Sequence, residues 1–199
     1  TASGKTTRTE ELTYTYDSSA RPTKVTHKLN SGSTVTLAEY TYDEFCRMAN
    51  KFLGGSSSNQ QIYQYNIRGW ITKISGPMFT ESLSYIDGSG SPCYNGNISS
   101  INFSVNTGYP AFHSYTYNYD GLDRLTTAAH LCTCTYPTEE TFEMYTEKVT
   151  GYDKNGNILG LQRYGQTSAS SYGLVDNLTY TYNGNKITRV DDAVTATSY

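Results

Sequence analysis

Three histidines are the side chains of this sequence best suited to acid-base or metal chemistry near neutral pH. His27, His113 and His130 lie in different parts of the 199-residue chain. None has a second histidine four residues away or a flanking glutamate, which is the spacing that zinc-binding helices use. We therefore expect ordinary solvated or half-buried histidines. The sequence predicts no catalytic residue, no metal ligand and no cofactor-binding residue.

A second candidate for metal chemistry is the pair Cys132 and Cys134, which would share one strand face with His130. A fourth ligand is missing, and zinc sites generally use two cysteines spaced by two residues in a turn. A bound metal, a disulfide and free thiols packed as small apolar groups stay open, and free thiols are the simplest of the three. Cys46, in a turn, and Cys93, in a loop, need no function.

Paired carboxylates could serve glycosidase-type chemistry, in which two acids flank a sugar bond. Asp191-Asp192 and Glu139-Glu140 are the two acid pairs, and we expect both to lie in solvated turns. The glycine-rich piece Gly88-Ser89-Gly90 lacks the further glycine and the lysine of a phosphate-binding loop. The sequence therefore predicts a protein that is not an enzyme.

Composition favours an all-β protein. The chain has 20 Tyr, and aromatic and β-branched residues favour the pleated surface of a sheet. A net charge of −3 without a basic block gives no electrostatic footprint for nucleic acid. No apolar run approaches the roughly 18 residues that a membrane helix needs, so we expect no membrane insertion. The abrupt first residues suggest a piece of a longer protein.

Internal repeats dominate the sequence. A Tyr-x-Tyr-Asp motif, or a close relative, recurs seven times and predicts seven hairpin units in a single array over residues 1–199. The second tyrosine of each unit is Tyr16, Tyr42, Tyr65, Tyr94, Tyr119, Tyr152 or Tyr182. The full repeat signature is Tyr14, Tyr16, Asp17, Arg21, Tyr40, Tyr42, Asp43, Arg47, Tyr63, Tyr65, Gly69, Tyr94, Gly96, Tyr117, Tyr119, Asp120, Arg124, Tyr152, Asp153, Gly156, Tyr180, Tyr182 and Gly184.

Five units share a longer turn of fixed length. The Asp or Asn after the second tyrosine can accept hydrogen bonds from backbone amides just ahead of it. Gly69 and Gly156, three residues later, can supply the positive φ that such a turn requires. Ala20, Cys46 and Asp123 occupy that slot elsewhere. Either these three are strained, or their turns differ.

The other two units have a shorter turn. Tyr94-Asn95-Gly96-Asn97 and Tyr182-Asn183-Gly184-Asn185 place Asn-Gly directly after the tyrosine. Asn-Gly between strands is the strongest local signal for a two-residue type I′ hairpin turn. We expect both kinds of turn to set the register of the strands they join.

Strand alternation places the two tyrosines of each motif on one face. Stacking of hairpins then predicts a ladder of tyrosine rings along the sheet. In the outgoing strands, apolar pairs such as Ile71 and Ile74, or Ile187 and Val190, are three residues apart. Either a bulge brings each pair to one face, or both faces are partly buried. We expect a looser loop after each unit, including residues 106–110 and 137–140, and the longest from Tyr164 through Gly173.

One run of residues carries a family resemblance. Tyr117-Asn118-Tyr119-Asp120-Gly121-Leu122-Asp123-Arg124-Leu125 resembles the YD-repeat consensus Tyr-Asp-x-x-Gly-Arg-Leu, with Asp123 in place of the glycine. Weaker copies extend the resemblance over nearly the whole chain. The sequence thus resembles a repeat segment of RHS/YD-repeat proteins, which include bacterial polymorphic toxins, toxin-complex subunits and teneurins.

The resemblance implies a long β-hairpin ribbon that forms the wall of a hollow shell. In full-length bacterial members the shell encloses a C-terminal toxin, which makes the remainder of the parent protein and its cargo the implied partners and places it in a secreted or cell-surface setting. The RHS core block and its self-cleavage site are absent here. Seven repeats are too few to close a shell, so we expect an open, twisted and curled antiparallel sheet, whose edges could pair two copies.

An alternative function stays open from the sequence. Rows of tyrosine could present flat aromatic faces to a carbohydrate or to a protein partner. Trp70 replaces the usual arginine of the turn, where it could plug a gap between hairpins or stack on a sugar. Binding of a glycan would separate this alternative from a purely structural role.

Overall fold

The computed structural model describes residues 7–105, 111–132, 144–168 and 171–195. Fourteen strands form one open antiparallel sheet, in which each strand neighbours the next along the chain. A single turn of 3-10 helix, Ser57–Asn59, interrupts them. The predicted all-β antiparallel fold is therefore confirmed.

The strands are numbered in the order in which they occur along the chain. The strands are β1 (Glu10–Tyr16), β2 (Pro22–Leu29), β3 (Val35–Tyr42), β4 (Met48–Leu53), β5 (Gln60–Tyr65), β6 (Ile71–Ser75), β7 (Phe79–Ser84), β8 (Ser100–Val105), β9 (Ala111–Tyr119), β10 (Leu125–Cys132), β11 (Glu147–Tyr152), β12 (Ile158–Ser168), β13 (Ser171–Asn183) and β14 (Lys186–Asp192). Among the described residues, none lies in a helix long and apolar enough to cross a membrane.

The chain divides into two compact parts, residues 1–80 and residues 81–199. In the N-terminal part, strands β1 to β6 pair in order. Ala38 is the one buried apolar residue described there, and Lys24 on β2 forms an ion pair with Glu39 on β3. The strands of this part are held mainly by backbone hydrogen bonds and by contacts between half-exposed side chains.

The C-terminal part has a small buried centre. Ser99 and Ser100 are fully buried, and the other buried residues described there are Tyr85, Ala128, His130, Cys132, Thr146, Gly160 and Gly165. A Cβ atom on Gly90 would lie 2.1 Å from the carbonyl oxygen of Ser99. Glycine at position 90 thus lets two backbone segments approach closely.

The structure differs from the sequence analysis at two loops. Tyr94 does not end a strand, because residues 85–99 join β7 to β8 without forming a strand. The hairpin predicted at Tyr94 is therefore wrong. Residues 87–92 are Asp, Gly, Ser and Pro, which are disfavoured in strands. The loop predicted from Tyr164 to Gly173 is largely strand, since Tyr164 pairs with Leu174 and Gly165 with Gly173. The loops predicted at 106–110 and 137–140 lie outside the described residues.

Every hairpin that follows a repeat turn contains one β-bulge in its outgoing strand. In β5 and β6, for example, Tyr65 pairs with Ile71 and Gln64 with Lys73, which leaves Thr72 as the extra residue. The extra residues of the other five hairpins are Thr23, Ala49, Thr126, Leu159 and Thr188. The bulge brings Ile71 and Ile74 to one face, which settles the first of the two predicted alternatives.

The last hairpin closes with a two-residue turn, as predicted, but the turn lies one residue later than the expected Asn183-Gly184 pair. Asn183 pairs with Lys186, so the central residues are Gly184 and Asn185. Of these two, Gly184 alone has a positive φ, which matches a type II′ turn with glycine first, where type I′ was expected.

Candidate functional site: a clamp between successive repeats

The site begins with the turn aspartate of each repeat. In the second unit, Asp43 Oδ1 accepts hydrogen bonds from the backbone amides of Phe45 and Arg47 at 2.9 and 2.8 Å. Its Oδ2 accepts from Arg47 Nε at 2.8 Å. The amide of Asp43 donates to the carbonyl of Arg47 at 2.8 Å. One carboxylate therefore closes the turn and also fixes the arginine.

The same network recurs in the other four long turns. Equivalent amide hydrogen bonds to the turn carboxylate or amide oxygen occur at Asp17, Asn66, Asp120 and Asp153. The predicted role of this residue as an acceptor for nearby backbone amides is what the structure shows. Asp17 and Asp120 also form ion pairs with Arg21 and Arg124.

The third loop residue of each long turn has a positive φ. Gly69 and Gly156 have φ values of 80° and 87°, while Ala20, Cys46 and Asp123 have values near 60°. This is the three-residue hairpin loop whose last residue is left-handed. The turns do not differ, so the three non-glycine residues adopt a strained conformation.

The network also perturbs the titration of the turn carboxylates. The backbone hydrogen bond from Arg21 lowers the pKa of Asp17, and the side-chain hydrogen bond from Arg124 lowers the pKa of Asp120. The pKa of Asp43 is lowered as well, although burial opposes the hydrogen bonds from Arg47. These turns therefore favour ionised carboxylates.

Each arginine held in this way lies over a tyrosine of the following repeat. The guanidinium carbon of Arg47 is 4.5 Å from the centre of the Tyr65 ring. The hydroxyl of Tyr65 donates a hydrogen bond to the carbonyl of Met48, the residue after Arg47, at 2.8 Å. Cation-π stacking and this hydrogen bond together fasten one hairpin to the next.

We call this arrangement the repeat clamp: the turn aspartate, the arginine four residues later, and the second tyrosine of the next unit. Complete clamps are Asp17-Arg21-Tyr42, Asp43-Arg47-Tyr65 and Asp120-Arg124-Tyr152. Two lie in the N-terminal part of the chain and one in the C-terminal part. The clamp therefore combines three signature residues that the sequence placed in separate roles.

Two further junctions keep the tyrosine hydrogen bond without the arginine. Tyr182 donates to the carbonyl of Ile158 at 2.7 Å, and Tyr119 donates to the carbonyl of Ile98 at 2.8 Å. Asn157, which stands in the arginine position before Tyr182, bonds to Asp153 at 2.8 Å and to Asn185 at 3.0 Å. Among the described residues, the tyrosine hydrogen bond thus occurs at more junctions than the cation-π stack with arginine.

The predicted ladder of signature tyrosines takes a different form. The rings of Tyr42, Tyr65 and Tyr152 stack on guanidinium groups of the preceding unit, where neighbouring phenols were expected. The fixed turn holds each arginine directly in front of the next hairpin, which the sequence offset alone did not reveal. Trp70 lies under Arg68 of its own turn, at 5.0 Å.

The remaining signature residues lie in less constrained positions. Tyr14, Tyr16 and Tyr94 are more than half exposed. Tyr40, Tyr63 and Tyr180 are half-buried on β3, β5 and β13, Tyr117 lies on β9, and Gly96 has a φ of 101° before β8. Burial, foremost, raises the pKa of Tyr117 to about 12. These positions support strands and turns without forming a shared site.

The structure brings together a second cluster that the sequence analysis missed. His113 Nδ1 lies 3.1 Å from His130 Nε2, and Phe103 stacks on His113 at 5.1 Å. Tyr115 and Tyr145 flank His130, with ring centres 4.8 and 5.4 Å away. Counting outward from the Asp120 turn with one bulge would have placed the two histidines diagonally across β9 and β10.

The cysteines differ from the simplest expectation. Cys132 is buried and disulfide-bonded, so the expected free thiol is wrong at this position, while Cys46 and Cys93 are free. Cys134 lies outside the described residues. In the described ranges, no three His, Cys, Asp or Glu side chains are grouped as metal ligands.

Comparison with known proteins yields structural likenesses only. No protein-family model and no curated protein matches this chain. It is similar to a chain of the Tc holotoxin pore of Photorhabdus luminescens with a TccC3 mutation, at 11% identity, a TM-score of 0.38 and coverage of 88% of this chain and 12% of that one. It is also similar to a chain of a TcdB2-TccC3-Cdc42 structure, at 10% identity, a TM-score of 0.37 and coverage of 96% and 11%.

These structural likenesses cover only a small part of the matched chains. The chain spans about a tenth of the length of the solved chains it matches. A TM-score below one half does not establish a shared fold, so the functional argument depends on the side-chain geometry of the repeats.

Proposed function

We propose that this chain is a structural segment of a YD-repeat sheet, in which the repeat clamp fastens each hairpin to the next. The single observation that carries this proposal is the clamp itself, formed three times by residues in the same repeat positions. A clamp that joins consecutive hairpins has an architectural role, because its charged groups are paired with each other. No enzymatic activity is part of the proposal.

The small buried core supports the proposal that other parts of a longer protein complete the wall. In the described residues, the apolar core comprises Ala38, Tyr85, Ala128 and Cys132. Stable domains bury one sheet face against a second layer. The remainder of a parent RHS/YD-repeat protein would supply such neighbours. By the resemblance, that protein is secreted or displayed on a cell surface, and its wall encloses a C-terminal cargo.

The edge strand β1 supports the same proposal. All seven of its residues are exposed, and Tyr16 is 57% exposed in the position where later units have a clamp. A preceding hairpin with an arginine in its turn would complete this clamp. An isolated chain offers the same edge to a second copy, since unpaired strand edges are templates for pairing.

The test compares two tyrosines of the same repeat position. Tyr65→Ala removes a ring that is stacked and hydrogen-bonded, and we expect a loss of about 2 kcal/mol with faster hydrogen exchange in β3 to β6. Tyr16→Ala removes an exposed ring and is the matched control, with little expected effect. Equal effects of the two substitutions would contradict a clamp between repeats.

Carbohydrate binding is the competing function and needs its own measurement. The stacked tyrosines turn their faces to arginine, whereas Tyr14 and Tyr16 expose more than half of their surface and could stack on a sugar. We expect no saturable binding of the chain on a glycan array. A saturable glycan whose binding is lost in Tyr14→Ala or Tyr16→Ala would replace the structural proposal.

A further inference from the structure

We propose that His113 and His130 form a proton-operated joint in the C-terminal part of the chain. At neutral pH the pair holds residues 144–146 on strand β10, and in acid it releases them. The inference is independent of the function proposed above, because it concerns contacts within residues 103–172.

The geometry of the pair indicates a shared proton. His113 Nδ1 and His130 Nε2 are 3.1 Å apart, and the ring centres are 5.3 Å apart. The ring-centre distance exceeds the nitrogen–nitrogen distance by close to two imidazole ring radii. The two nitrogens therefore face each other along the line between the ring centres. One ring donates N–H and the other accepts it. A metal held by both would need lone pairs that converge on a third point, so the pair is built for a proton.

The surroundings of the pair disfavour charge on His130. His130 is 5% exposed, and the rings of Tyr115 and Tyr145 lie against it. Phe103 stacks on His113 on the other side of the pair. Burial and then the neighbouring His113 lower the pKa of His130. Both causes act against the imidazolium form.

The titratable groups around the pair belong to several elements. They are Tyr115 on β9, Tyr145 before β11, Glu147 on β11, Tyr172 on β13 beside Tyr145, and Arg163 on β12, which pairs in register with Glu147 and forms an ion pair with Asp176. Burial, foremost, raises the pKa of Tyr115, and the charge of Glu147 contributes in the same direction. Because its pKa is raised, Tyr115 stays neutral throughout the acid range. The backbone hydrogen bond with Met144 acts in the opposite direction, because it favours the imidazolium form of His130 and raises its pKa.

Protonation therefore occurs in two steps that belong to the pair. The first proton gives one imidazolium, which can still donate its N–H to the neutral ring. The second proton removes the acceptor and leaves two cations 3.1 Å apart, one of them buried. The joint opens on the second step.

The pair is connected directly to residues 144–146. The backbone N–H of His130 donates to Thr146 Oγ1 at 3.0 Å, and the Tyr115 hydroxyl donates to the carbonyl of Tyr145 at 3.4 Å. Tyr145 has a φ of 59°, a strained conformation for a bulky residue. Strands β10 and β11 pair only through Thr127 and Ala128 among the described residues. The pair itself contacts this strained segment through the ring of Tyr145, and the segment is also held by the hydrogen bond from the Tyr164 amide to the carbonyl of Thr146 at 2.9 Å.

The direction of the pH effect follows from the lowered pKa. The folded joint binds fewer protons than the open one, so its stability is complete above the ordinary histidine value of 6.5. Stability falls as the pH decreases below that value and levels off below the folded pKa. Each pKa unit of lowering corresponds to about a tenfold increase in the open population.

The experiment is hydrogen exchange measured by mass spectrometry at about pH 7.5 and about pH 5, corrected for intrinsic exchange. We expect peptides that cover residues 128–132 and 144–149 to open about tenfold more often at the lower pH. In His113→Gln the second cation cannot form, so the response should be smaller than in the wild type, with the remainder due to burial of His130. His27→Gln is the matched control, because His27 pairs with Glu10 in the N-terminal part and should leave the response intact.

Two results would overturn the proposal. One is an unchanged opening of residues 144–149 in the wild-type chain at low pH. The other is a full tenfold response that persists in His113→Gln. If that variant fails to fold, the imidazole resonances of the wild type decide: coupled titration with one step below 6.5 is expected, and two independent ordinary titrations contradict a shared proton.

Discussion

The repeat clamp and the histidine joint hold neighbouring strands by opposite physical means. Asp43 and Arg47 are charged partners that remain partly in contact with water, and Arg47 also stacks on the neutral ring of Tyr65. His113 and His130 are stable as a neutral pair because burial penalises charge. The first arrangement needs ionised groups and the second needs neutral ones. Charge-assisted contacts at the surface and neutral contacts in a buried cluster therefore respond to acid in different ranges.

The clamp and the joint also differ in how far apart in the sequence their residues lie. The aspartate and arginine of a clamp are four residues apart, within one turn whose geometry they fix. The two histidines are brought together by the pairing of β9 with β10. A clamp can therefore be copied along the sequence, while the joint arises once among the described residues.

The largest expected effect is the order of opening in an acid titration. Residues 144–149 should open as the pH falls below about 6.5, with the clamp turns still closed. The lowered pKa values of Asp17 and Asp120 mean that the turns keep their contribution above the ordinary value of 3.8 and lose it as the pH falls through the lower folded value. Hydrogen exchange at successive pH values measures this order.

The reverse order would break the comparison. If peptides that cover residues 17–21 or 120–124 opened before residues 144–149, the surface network would not be the more acid-resistant of the two. Simultaneous opening would show that the parts of the molecule titrate as one cooperative unit.

A smaller effect tests whether backbone strain is local to the clamp turns. Gly69 has a φ of 80°, and nothing lies within 4 Å of a Cβ atom built there, so Gly69→Ala adds strain without a clash. We expect a loss of about 1 kcal/mol. Ala20→Gly, in the same slot of the first turn, should give a gain of similar size. Chemical denaturation followed by circular dichroism measures both.

Gly121→Ala is the control for this pair. Gly121 also has open space around a Cβ atom, and its φ is not in the left-handed region, so little change is expected. Effects of the same sign for Gly69→Ala and Ala20→Gly would show that tertiary contacts, and not the left-handed residue, set the stability of these turns.

Part of this molecule could be predicted from its sequence because its turns are local. The acceptor role of Asp17 and the left-handed slot at Gly69 follow from contacts within five residues. To predict the clamp, one must know which residues of the preceding hairpin face Tyr65. That depends on how consecutive hairpins pair. The outcome at Tyr94 depended on a strand that does not form. The missed histidine pair needed the bulge to be placed first.

The smallest expected effect concerns that bulge, since it sets the register that joins the two histidines. Thr126, the extra residue in β10, donates its hydroxyl to the carbonyl of Asn118 at 3.0 Å. Thr126→Val keeps the branched shape and should lose only about 0.5 kcal/mol, measured by denaturant unfolding. Leu159 forms the equivalent bulge without a hydroxyl, so the bulge itself should persist. A one-residue slip would turn His130 to the other face, and disappearance of the paired imidazole resonances in Thr126→Val would show that the hydroxyl sets the register.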